Sequence, residues 1–292
     1  MNVREHLILT AFAALCGCAQ AQSTAPPPAL DEPGEPLWEI GAAAGGGRVP
    51  DYPGSDQTHT RGIVLPIAIY RGPVLRIDQG GIRGRLLSTP QWQFELTATA
   101  AFNAKDNEAR AGMPGLDYLF GVGPQWIYKG WQSPSGDGPS LHLKLRALMS
   151  TDLKRIDQRG VSFTPEFRWR LRPFGGSPTA LTLSLEPTWT TGALQRYFYQ
   201  VDPADARPGR PAYAARAGYL GTEAGATLSR RAGRSVSWFV TASVLSLHGA
   251  ANTASPLLRD RSNVSVGAGV VWTPWHSEQR VRQSFAQALA SM

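Results

Sequence analysis

Apolar side chains recur at every second position of this chain, in runs long enough to cross a lipid bilayer. From Gln91 to Phe102, Trp92, Phe94, Leu96, Ala98, Ala100 and Phe102 alternate with Gln91, Gln93, Glu95, Thr97 and Thr99. Leu141, Leu143, Leu145, Ala147 and Met149 alternate with His142, Lys144, Arg146 and Ser150. Val161 to Leu171 set Phe163, Phe167 and Trp169 against Thr164, Glu166, Arg168 and Arg170, and Leu181 to Trp189 set three leucines against Thr182, Ser184 and Glu186. The same alternation returns in 236–244 and 264–272. A period of two places each set on opposite faces of a strand.

Alternation alone also suits a soluble sandwich, so length decides. The runs match the ~9–11 residues of a tilted membrane-spanning strand and are about twice the ~5–6 typical of soluble sheets. Trp92, Phe102, Trp169, Trp189 and Trp272 stand near run ends, where the aromatic girdles of a barrel lie. The other face carries Glu95, Lys144, Arg146, Glu166, Arg168, Arg170 and Glu186, which suits a wet or ion-paired interior. The fold expected is therefore all-β: an antiparallel transmembrane β-barrel over 37–275. Splitting 74–87 at Gly80-Gly81 gives about twelve strands and satisfies the even count of bacterial barrels, with both termini periplasmic. The connections 48–59, 103–116, 152–159, 191–212 and 248–261 then lie outside. Those at 71–73, 88–90, 131–139, 173–177 and 231–234 lie inside. The halves of the split run are short for spanning strands, which keeps ten open.

The ends read differently. Residues 1–21 have the build of an export signal: Arg4, an apolar stretch from Leu7 to Leu15, and Ala19-Gln20-Ala21 before a cut between Ala21 and Gln22. Leu15-Cys16-Gly17-Cys18 also resembles a lipobox, which would place lipid on Cys18. These are the only two cysteines, so a disulfide framework is excluded. Residues 22–36 are rich in Pro and Ala and read as a stiff periplasmic linker. In the tail, 276–292, Val281, Phe285 and Leu289 recur every four positions, compatible with a short amphipathic helix, although a frayed terminus is the plainer reading. The net charge of +7 is almost all arginine, since Lys occurs only at 105, 129, 144 and 154. The arginines are scattered over turns and alternate strand positions rather than gathered in a patch, which argues against nucleic acid as a partner.

Short segments at the strand ends resemble the MipA/OmpV family. They are Gly41 to Gly47, Asp51-Tyr52-Pro53-Gly54-Ser55-Asp56, Leu65-Pro66, Tyr70-Arg71-Gly72, Tyr197-Phe198-Tyr199-Gln200-Val201, Pro211-Ala212-Tyr213 and Ser255-Pro256-Leu257-Leu258. The resemblance spans roughly 37–275 and implies a barrel in outer-membrane lipid, folded by the barrel-assembly machinery. For one branch it implies a scaffold tying MltA, a lytic murein transglycosylase, to a bifunctional penicillin-binding protein. Other branches are described as porin-like or as adhesins. Two departures stand out. The family ends its chain on the last strand with an aromatic, whereas residues 276–292 follow here, and Gln200 stands where the family tends to have Gly.

The candidate site residues have plain structural readings beside the functional ones. Tyr52, Pro53, Gly54 and Ser55 could touch a ligand, but Pro and Gly set turns and Tyr52 would anchor the loop at the barrel rim. Lys144, Arg146, Glu166, Arg168, Arg170 and Glu186 could form a basic constriction for small anions. Mutual pairing that fills a narrow lumen is the preferred reading, because an unpaired buried charge is costly. His6, His59, His142, His248 and His276 have no metal-ligand spacing. Ser140 with His142, and Ser246 with His248, share a face, but no orienting acid is evident. Gly45-Gly46-Gly47 opens no helix and cradles no phosphate. No cofactor, metal or catalysis is expected.

Overall fold

The computed structural model describes residues 35–71, 75–78, 81–89, 91–133, 136–173, 178–233, 235–278 and 280–281. The signal, its cut at Ala21 and Gln22, Cys18, most of the linker, and Phe285 and Leu289 lie outside the described residues.

The alternating runs become strands because a bilayer leaves a backbone only two ways to satisfy its polar groups, and a closed sheet is one of them. After a two-residue strand β1 (Glu35–Pro36) come β2 (Trp38–Pro50), β3 (Thr58–Arg71), β4 (Leu75–Asp78), β5 (Gly81–Ser88), β6 (Trp92–Ala101) and β7 (Tyr118–Tyr128). The second half holds β8 (Gly138–Thr151), β9 (Ile156–Leu171), β10 (Thr179–Thr190), β11 (Gly218–Arg231), β12 (Val236–Ser246), β13 (Ser262–His276) and a two-residue β14 (Arg280–Val281). Strands β2 to β13 pair antiparallel with their chain neighbours, and β13 closes on β2, giving a barrel of twelve. The run 74–87 does divide, into β4 and β5. That settles twelve over ten.

The faces are inverted relative to a soluble protein. Trp92, Leu96, Trp126, Leu145, Phe163, Phe167, Trp169, Leu183, Leu185, Val240, Val264 and Trp272 point out and are exposed, ready for lipid. Glu95, Gln125, Lys144, Arg146, Glu166, Arg168, Arg170 and Glu186 point in and are buried. With an even strand number, both chain ends leave at one end of the barrel. There the last two linker residues pair with the tail, Glu35 with Val281 and Pro36 with Arg280. The tail therefore leaves the barrel as a continuation of the β2–β13 ladder, with Ser277 N donating to Trp38 O at 2.9 Å.

At the other end, the loops do not hang free. The connection expected as a long loop over 191–212 runs from 191 to 217 and contains a helix, α1 (Gly192–Tyr199), whose Leu194 and Phe198 are one turn apart and buried. The apolar core of the molecule sits there. Tyr52, Ala104, Leu116, Leu194, Phe198, Tyr199, Ala215, Leu247, Ala250 and Leu258 cluster over the barrel mouth, together with Leu148 from the lumen face of β8.

Candidate functional site

Two regions qualify, stacked along the barrel axis: the loop cap and the charged layer beneath it.

The cap is built on Tyr52-Pro53-Gly54-Ser55. Ser55 N donates to Tyr52 O at 3.0 Å, closing a turn. Gly54 holds φ +89, and a Cβ there would lie 2.8 Å from Leu258 Cγ, so the position is closed to other residues twice over. The turn sends Tyr52 inward. Its ring stacks on Phe198, with centroids 6.5 Å apart and planes 15° from parallel, and its hydroxyl donates to Leu257 O at 2.7 Å. Tyr199 donates to Pro53 O at 2.8 Å, and Ser255 Oγ donates to Tyr199 O at 2.8 Å. Burial pushes both tyrosine hydroxyls above their ordinary pKa. The segments 52–55, 197–201 and 255–258, far apart in sequence, thus meet in one place. Tyr52, only 3% exposed, is a packing residue of this cap rather than a group offered to a ligand.

Several residues that complete the cap are absent from the sequence expectation. Asn107 donates to Asp51 Oδ2 at 2.9 Å and to Ser55 Oγ at 3.0 Å. Arg110 is buried, has no carboxylate partner among the described residues, and donates to Phe198 O at 3.0 Å and Pro114 O at 3.2 Å. Burial lowers its pKa. Asn252 donates to Gln195 Oε1 and Arg216 O, both at 2.8 Å, and accepts from Arg216 N at 2.9 Å. Gln200 explains its departure from Gly: with φ −67 the backbone needs no glycine, and the side chain accepts from Ala215 N at 2.9 Å and donates to Asp202 at 2.8 Å. Only the i, i+4 pair Leu194/Phe198 after Thr191 could have signalled α1.

Below the cap, β8, β9 and β10 bring four of the six candidate charges together. Lys144 Nζ lies 2.7 Å from Glu166 and 2.8 Å from Glu186, and Arg168 pairs with Glu166. Lys144 is 1% exposed. The other two go elsewhere. Arg170 faces Asp137 of the inner turn at 3.7 Å, alongside Arg172 at 3.3 Å. Among the described residues the Arg146 side chain hydrogen-bonds only Thr97, 3.5 Å from its hydroxyl. Nearby, Ser140 Oγ and His142 Nε2 are 3.0 Å apart, and the other ring nitrogen meets the Gln125 amide at 3.1 Å. Gln125 thus holds the ring from the side opposite Ser140, and Glu166 stands across from His142 in the β8–β9 register. Among the described residues no group of His, Cys, Asp and Glu could hold a metal ion.

An exposed apolar belt around a closed, polar-lined barrel defines the class: this is an outer-membrane β-barrel. The sequence model of a family described as "MltA-interacting protein MipA" matches residues 40–274. The chain belongs to that family. Comparison with curated proteins yields no match. Among solved structures, the NanC porin in its rhombohedral crystal form is similar over 80% of this chain and 99% of that one, at 11% identity and a TM-score of 0.40. The COG4313 outer membrane channel from Pseudomonas putida F1 is similar over 84% and 99%, at 14% identity and a TM-score of 0.43. Neither likeness bears on function.

Proposed function

We propose that this barrel is a scaffold anchored in the outer membrane, holding an MltA-type lytic transglycosylase, and through it a bifunctional penicillin-binding protein, at the inner face. The observation that carries the proposal is the buried Lys144–Glu166–Glu186–Arg168 layer lying directly under a packed cap. Charges that are paired with one another beneath a packed cap point to the two ends of the barrel as its working surfaces. The family description supports a murein hydrolase as partner. The inner turns, the linker and the tail are the surfaces available to periplasmic enzymes.

The test is retention of the lytic transglycosylase from the same organism by the refolded, immobilised barrel. Specific retention is expected. A barrel that binds no transglycosylase overturns the scaffold reading. A second reading, a porin-like channel for small anions, has one observation in its favour. On the far wall a run of inward positions of β2, β12 and β13 is small, with Gly45, Gly47, Thr241, Ser243, Ser265 and Gly267 between the larger Phe239 and Leu245, so the charged layer occupies one side of the lumen. That reading requires anion-selective conductance that changes in Arg168→Ala.

A further inference from the structure

The barrel wall is incomplete on one side. β4 and β5 are a short hairpin: β4 pairs with β3 only at Tyr70 and Arg71, and the pairing of β5 with β6 stops at Leu96. Toward the outer face, Thr58–Ile69 of β3 and Thr97–Ala101 of β6 have no strand partner on the sides that face each other, among the described residues. Higher still the two sides rejoin, with Arg61 over the Phe102 ring at 5.6 Å and Asn107 bonded to Asp51 and Ser55. The break is thus a window in the wall, bounded above by the cap and below by the hairpin. Val64 on its β3 side is 75% exposed, and the inward residues of β3 beside it, Ile63 and Ile67, are apolar.

Arg146 lies on the inner side of this window. Among the described residues the one side-chain hydrogen bond of Arg146 is to Thr97, the first residue of β6 beyond its pairing with β5. The residue is 9% exposed, and its Nε, buried, has no hydrogen-bond partner. Among the described residues no carboxylate comes within ion-pairing distance, whereas Lys144 and Arg168 nearby are both matched. The placement is built in. A Cβ at Gly123 would sit 2.0 Å from Leu145 O and 2.9 Å from Arg146 Cα, so only glycine lets β7 approach β8 closely enough for Arg146 to span it. Glu186 and Glu166 act on Arg146 only from beyond ion-pairing distance. A buried guanidinium without a carboxylate in contact is costly, and a desolvated anion is the group that relieves it.

We propose that Arg146 is the anion-binding residue of a site inside the barrel, reached through the window between β3 and β6, that takes the carboxylate of a single-chain amphiphile from the membrane. The carboxylate pairs with Arg146 beside Thr97, and the chain leaves past Ile63 and Ile67 toward lipid. The site is independent of the scaffold reading.

The experiment is calorimetric titration of the full-length barrel, refolded in a nonionic detergent, with laurate, dodecanol and acetate. Arg146→Met and Arg146→Lys are compared with the wild type, and each variant is first shown to be folded by its heat-modifiable migration. Saturable laurate binding is expected, about tenfold weaker in Arg146→Met and partly kept in Arg146→Lys, because one charge-assisted contact is typically worth at least that factor. Acetate and dodecanol should each bind far more weakly than laurate. Laurate affinity unchanged in Arg146→Met, or dodecanol binding as well as laurate, overturns the anion site. Acetate binding as tightly as laurate overturns the lateral, membrane-derived ligand and leaves a site for free anions. If Arg146→Met does not fold, Thr97→Val serves instead, and an unchanged laurate affinity there, with Arg146→Lys also unchanged, overturns the site.

Discussion

The cap and the charged layer below it are both buried, yet they are held by opposite means. In the cap, apolar side chains supply the burial, and buried polar groups are met by carbonyls and amides: Tyr52 on Leu257 O, Arg110 on Phe198 O, Asn252 on Gln195 and Arg216. In the charged layer, Lys144, Glu166, Glu186 and Arg168 are matched against one another within and between strands. A cap of the first kind tolerates loss of one contact at moderate cost. A layer of the second kind does not, because removing one partner strands the others in a medium that solvates them poorly. The difference teaches where each region's information resides: long-range contacts fix the cap, whereas strand register fixes the lumen.

The comparison breaks most sharply at Lys144. Lys144→Met leaves Glu166 and Glu186 facing each other without their shared cation, and a loss of about 3–5 kcal/mol is expected in denaturant unfolding from lipid vesicles. The triple change Lys144→Met, Glu166→Gln and Glu186→Gln should recover part of that loss, since it removes the charge as a set. A single-variant loss under about 1 kcal/mol would show that the layer is not a paired network. In the cap, Tyr52→Ala deletes a ring stacked on Phe198 and should cost about 3–5 kcal/mol if the cap unfolds together with the barrel. If the cap instead opens by itself, the same variant leaves barrel unfolding unchanged and raises protease sensitivity at 191–217. Tyr52→Phe keeps the ring and leaves only Leu257 O without its donor, for about 1–2 kcal/mol.

The smallest effect lies at the outer turn between β8 and β9. Asp152 accepts hydrogen bonds from the backbone N–H groups of Lys154 and Arg155, both at 2.9 Å, and these hold its carboxyl below its ordinary value. A carboxyl whose folded pKa is depressed stabilises the turn above its unfolded value, near 4, and loses that contribution as the pH falls through the folded value. The protection of the Lys154 and Arg155 amides, measured against their intrinsic exchange rates, should therefore fall below about pH 4 in the wild type. In Asp152→Ala that protection should be low throughout and show no such step.

Much of the barrel was legible in the sequence because its signal is local. A period of two fixes which side chains face lipid, and loop parity fixes the strand number, even for the short pair β4 and β5. The lumen was partly legible for the same reason: residues 144, 166, 168 and 186 share the inward parity, and strand register brings them together. What parity could not give is reach. Arg146 and Arg170 have the same inward parity, yet Arg146 leans across Gly123 to Thr97 while Arg170 turns to Asp137. The cap was legible only as separate motifs. Tyr52 and Leu257 stand 205 residues apart, and no periodicity links them. Likewise, the pairing of Glu35–Pro36 with Arg280–Val281 is carried by closure of the barrel, which brings both ends together, rather than by any pattern in a Pro-rich linker or a polar tail.

The central claim is that the charges of the barrel's interior are matched with one another beneath the packed cap, and do not line an open pore. Single-channel recording of the full-length protein, refolded into planar bilayers, tests it most directly. The account predicts a silent bilayer in the wild type and openings only when Lys144, Glu166 and Glu186 are replaced together by alanine. Steady, anion-selective conductance in the wild type would contradict it and make the charged layer the lining of a pore.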